Sequence, residues 1–128
     1  MSQYYEVHGT TVWNPALGTS RQFLRFVRVF EIEVGVPSGI GPAEPNDISE
    51  IDPEVFGAFV NELVRWYLVR TGSPDADLLS RGFIVIVLAL AQRAGVMVDW
   101  PPTRSQWDAD KLNSLREQAQ EKERQMVR

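Results

Sequence analysis

The 128-residue sequence predicts an α+β domain, mainly α: three packed helices, an N-terminal β-hairpin lying on them, and a polar C-terminal helix. Two observations carry this. Apolar residues recur at spacings of three and four over three long stretches, each followed by glycine, whereas residues 4–13 alternate instead. Apolar residues make up 44% of the chain and charged residues 23%, the balance of a chain that buries a core. At this length one domain does so without metal or disulfide.

Tyr4–Val7 and Thr10–Trp13 read as hairpin strands broken at His8-Gly9, with Gly9 supplying a positive φ. A two-stranded ribbon is marginal alone, so it must lie on something. Asn14-Pro15 closes the second strand and turns into a helix over about 20–34 that ends at Gly35. Phe23, Phe26, Val27, Phe30 and Val34 make its apolar face, and Arg21, Arg25 and Arg28 a basic stripe. Residues 36–51 read as a long loop rich in turn formers, from Pro37 to Asn46-Asp47. Val36, Ile40 and Ile51 are β-branched and would pin short stretches of it to the hairpin.

Asp52-Pro53-Glu54 is a helix start, with a capping carboxylate, proline in the first turn and an acid facing the dipole. That helix runs to Arg70 and stops at Gly72. A third follows Ser73-Pro74, with Asp75 and Asp77 in its first turn, Arg93 in its last, and Gly95 as its stop. Its run Phe83–Leu88 is also compatible with a buried strand, but Leu78-Leu79 and Ala89-Leu90-Ala91 favour a central helix buried all round. Val96-Met97-Val98 reads as a short strand beside the hairpin. After Trp100-Pro101-Pro102, a helix over about 105–125 carries a thin stripe of Leu112, Leu115, Ala119 and Met126, with helix-spaced Arg104–Asp108 and Glu121–Arg124 pairs. The expected organisation is a globular unit over 1–102 and a polar helix over 103–128. That helix is either weakly docked and frayed after Gln118, or partner-binding.

Charge is distributed unevenly. Residues 29–64 hold Glu31, Glu33, Glu44, Asp47, Glu50, Asp52, Glu54 and Glu62 and not one Lys, Arg or His, in a chain of net charge −4. Such asymmetry steers a basic partner to one face. The acidic balance argues against nucleic acid, which needs a basic footprint. The longest apolar run, Phe83 to Ala91, is far too short to span a bilayer, and residues 1–6 lack the pattern of a signal peptide. With no cysteine in the chain, the expectation is a cytoplasmic protein with neither membrane nor nucleic acid as partner.

No catalytic signature accompanies the acids. His8, the only histidine, sits at the hairpin turn without a nameable orienting partner. Glu44, Asp47, Glu50, Asp52 and Glu54 crowd oxygens into a loop, but the EF-hand spacing is missing, so no metal and no cofactor are expected. Ser38 lacks the Gly-x-Ser-x-Gly frame of a nucleophile elbow, and residues 37–42 lack the Gly-Lys-Ser/Thr of a phosphate loop. The basic stripe reads as a solvated helix side.

Trp13-Asn14-Pro15, Ser20-Arg21-Gln22-Phe23, Pro37 through Pro42, Ile51-Asp52-Pro53 and Arg81-Gly82-Phe83 through Arg93-Ala94-Gly95 together resemble a family of small actinobacterial proteins of unknown function, common in streptomycetes. The resemblance covers about residues 3–100. It implies an intracellular domain of the size of polymorphic-toxin immunity proteins and assigns no site residues. The expected function is therefore a protein-binding module, in its most concrete form an immunity-like inhibitor covering a basic toxin or enzyme surface. Glu44, Asp47, Glu50, Asp52 and Glu54 would steer the partner, and Ile40, Phe56 or Trp107 would anchor it. The alternatives are a small enzyme or ligand-binding domain with a cleft lined by Trp13, Trp66 or Tyr67, and a homo-oligomer joined through the Leu112–Met126 stripe.

Overall fold

Strands β1 (Tyr4–Val7) and β2 (Thr10–Trp13) pair antiparallel as the predicted hairpin. Both turn residues, His8 and Gly9, take positive φ, 50° and 80°, so the bend matches the right-handed twist of its strands. The computed structural model describes residues 2–42 and 47–126 of the chain. Within the span expected to be loop, β3 (Ile48–Glu50) pairs parallel with β1, giving the order β2-β1-β3. Three residues are too few for alternation to show. The expected pinning to the hairpin is made by Ile51, whose amide donates to the Glu6 carbonyl of β1 at 2.9 Å, and Ile40 bridges Ile51 in turn.

Four helices follow the predicted order: α1 (Leu17–Val34), α2 (Pro53–Arg70), α3 (Pro74–Arg93) and α4 (Gln106–Gln125). Helix α1 begins three residues earlier than the apolar face suggests, at an Ala16 boundary with no side-chain cap, and ends at left-handed Gly35. The other three start at oxygen caps: Asp52 accepts from the Glu54 and Val55 amides, Ser73 from Ala76, and Ser105 from Asp108. Among the described residues no helix is long and apolar enough to cross a membrane.

An aromatic column joins the sheet to the helices. Tyr5 stacks on Trp13 at 5.1 Å, and both meet Phe23 of α1 edge-on. Phe30 stacks on Phe83 of α3 at 4.7 Å and meets Trp66 of α2 edge-on. These rings bury most of their surface and constrain how the elements cross. The expectation that α3 is buried all round holds only for its C-terminal half. Leu78 and Leu79 are 81% and 83% exposed, because the first two turns of α3 extend past the elements that cover the rest.

Two other expectations are corrected. Residues 96–98 form no strand. They run along α2, where Val96 lies against Gly57 and the Asp99 amide donates to Asn61 Oδ1 at 2.8 Å. Helix α4 is neither frayed after Gln118 nor free. It stays helical to Gln125 and buries Leu112, Leu115 and Ala119 against α3, with Met126 buried just beyond. Its Leu112–Met126 stripe is therefore spent inside the molecule. Of its two expected ion pairs, Glu121–Arg124 forms, whereas Asp108 accepts the backbone amide of Arg104 instead.

Candidate functional site

The 36–42 loop, the most turn-rich stretch among the described residues, is held at nearly every step. Glu31 accepts the Ser38 amide at 2.8 Å and pairs with Arg28 at 2.9 Å, while Arg28 also reaches the Ile40 carbonyl. Burial alone would raise the Glu31 carboxyl, but the bonds from Arg28 and Ser38 outweigh it and leave it below its ordinary value. Ser38 Oγ, fully buried, accepts the Ile40 amide at 3.1 Å. A side chain so enclosed is the hinge of a rigid turn and not a nucleophile. Gly39 sits at φ 75°, and its carbonyl accepts the Asp52 amide at 2.8 Å. A Cβ there would lie 2.8 Å from Phe56 N and 2.9 Å from Asp52 O, so only glycine lets the loop press this closely onto the start of α2.

The result is an open groove whose wall is the loop. His8, Glu50, Asp52 and Glu54 line it, with Arg28 and Glu31 on its α1 side and Ile40 and Ile51 beneath. Of the five acids expected to steer a partner, Glu50, Asp52 and Glu54 are thus brought together, with Ile40 beneath them. Asp47 stands apart at φ 63° before β3, its carbonyl bonded to the Tyr4 amide. Glu44 lies outside the described residues. The expected single acidic face is smaller than the count of carboxylates suggests. Arg28 neutralises Glu31, and Arg65 pairs with Glu62 farther along α2. Glu50, Asp52 and Glu54 have no ion-pair partner among the described residues. Asp52 spends part of its charge capping α2, whose positive end, worth about half a charge, offsets only part of the three carboxylates.

The proposed apolar anchors fare differently. Ile40 is 3% exposed and Phe56 is fully buried, so they form floor and core. Trp107 is exposed, but it lies by Lys111 and Thr71 at the far end of α2, an 18-residue helix about 27 Å long. The aromatic cleft of the alternative reading is filled in. Trp13 and Tyr67 are buried, and Trp66 packs on Phe30. Among the described residues no group of three or more His, Asp or Glu is placed to hold a metal ion.

Sequence reasoning missed the buried cations. Lys111, 7% exposed, donates to the Thr71 carbonyl and hydroxyl and lies 4.6 Å from the centre of the Tyr67 ring. Burial holds its ammonium below the ordinary lysine value. Tyr67 donates to Asp77 at 2.6 Å, and Arg81 grips both Asp77 oxygens while reaching Ser114 and Gln118 of α4. Arg93, predicted only as a dipole partner, is buried. It donates to the carbonyls of Val12, Glu123 and Met126 and to the Glu123 carboxylate. Lys111, Tyr67, Asp77 and Arg81 thus tie α2, α3 and α4 together, while Arg93 separately joins the end of α4 to β2. Nothing in the spacing of Lys111 or Arg93 distinguishes them from solvated surface cations.

No curated protein and no solved structure matches the chain. One family model does, over residues 1–128, and the chain belongs to that family of unknown function, DUF6086.

Proposed function

For a member of this family, we propose a protein-binding module that takes a basic segment of its partner into the groove between α1, the 36–42 loop and the start of α2. The supporting observation is that Glu50, Asp52 and Glu54 stand together on pinned backbone with no ion-pair partner among the described residues. Complementary charge speeds encounter and penalises wrong partners, and a preset wall avoids the entropy of ordering a loop on binding. The finer form of the proposal is an immunity-like inhibitor in an actinobacterial cytoplasm, covering the basic surface of a toxin or enzyme. Resemblance and acidic charge support that form.

The test replaces Glu50 and Glu54 with lysine and keeps Asp52, whose carboxylate caps α2. At low salt the association rate should fall at least about tenfold, with the difference shrinking as salt rises. An unchanged rate would remove the groove from the interface.

A further inference from the structure

The flank of α1 opposite the acidic groove carries a different surface. Phe26 of α1 and Leu78, Leu79, Gly82 and Ile86 of α3 line an apolar trough. Phe26 is 40% exposed, Val29 on the next turn 52%, and Leu78 and Leu79 over 80%. Together these present on the order of 500 Å² of apolar surface, toward the upper end of the largest patch a soluble monomer leaves uncovered, a size that often marks a contact surface. It approaches the ~800 Å² that each partner contributes to a standard interface.

Gly82 adds an independent sign. It sits in the middle of a 20-residue helix, where glycine is among the poorest helix formers. No atom lies within 4 Å of where its Cβ would stand, so nothing inside the chain requires its small size. A bare helix backbone at the centre of an apolar trough suits the close approach of another helix.

The pattern around Gly82 indicates which helix. Leu78 and Leu79 precede it by four and three residues, and Val85 and Ile86 follow it by three and four. About a two-fold axis at Gly82, an antiparallel copy of α3 sets Leu78 against the second copy's Ile86 and Leu79 against its Val85, apolar on apolar throughout. That self-matching order is what an isologous contact demands. The rim carries both signs, exposed Arg25 on α1 and exposed Asp75 on α3, so this face does not repel its own copy. Arg28 and Glu31 put the acidic groove on the other flank of α1, which leaves it open after pairing. We infer that the chain forms a two-fold dimer in which α3 crosses its counterpart at Gly82.

Sedimentation of the full chain over micromolar to millimolar concentrations tests this. The wild type should reach a dimer. Gly82→Ala should weaken dimerisation roughly tenfold or more while raising the thermal stability of the monomer, two effects of opposite sign. Leu79→Glu, at an exposed position, should sediment as a monomer with unchanged far-ultraviolet circular dichroism. A wild type that stays monomeric throughout, or a Gly82→Ala chain that dimerises as well as the wild type, overturns the inference.

Discussion

At the residue scale, Gly39 shows how much one position controls. Its positive φ and its approach to the backbone of Asp52 and Phe56 are separate reasons for glycine. Gly35 has only the first, since its Cβ would meet open space. Gly39→Ala should therefore cost at least about 2 kcal/mol in urea unfolding, and Gly35→Ala about 1 kcal/mol. Equal losses would mean that the close approach contributes nothing. The sequence marked residues 36–51 as a loop rich in turn formers but could not show what its start pressed against, because Asp52 and Phe56 lie beyond the loop in the next helix.

At the element scale, helix starts and stops were legible because they are local chemistry. Asp52-Pro53, Ser73-Pro74 and Ser105 cap their helices, and Gly35 ends α1. Strand β3 was not legible, since its pairing with β1 spans more than forty residues. The docking of α4 was underestimated because part of its attachment is cationic. Arg93 joins the end of α4 to β2 through bonds in three directions. Arg93→Ala should destabilise the fold by about 3 kcal/mol or more, and hydrogen exchange should rise first at the end of α4 and along β2. Arg93→Lys should recover little of the loss, because an ammonium cannot span those acceptors. Full rescue by lysine would show that charge alone suffices.

At the scale of the whole molecule, stability should fall at both ends of the pH range. Burial pushes the Tyr5 hydroxyl up to about 12, against a bond to Ser20 that lowers it. A folded-state value above the unfolded 10 means that this contribution is whole below pH 10 and lost between about pH 10 and 12, up to about 2–3 kcal/mol. Lys111 opposes part of that loss: its lowered value costs stability while it is charged, and the cost fades as pH rises toward the ordinary lysine value. Comparing Tyr5→Phe with the wild type isolates the tyrosine, and the variant should lose less stability across that window. Asp77, which burial raises but bonds from Arg81 and Tyr67 lower further, behaves oppositely, as does Glu31. Their support is complete above the unfolded carboxylate values and lost as pH falls through their lowered ones.

The charge count in residues 29–64 was correct, yet chain order is not surface order. Glu31 and Glu62 are matched by Arg28 and Arg65 from outside the window, and three carboxylates remain gathered at the groove. The most direct measurement of what that groove does is parallel affinity capture from source cells at stepped salt, using the wild-type chain and Glu50→Lys/Glu54→Lys. The prediction is a basic protein held by the wild type at low salt, released as salt rises, and absent from the charge-reversed chain. The same protein held equally by both chains would contradict it.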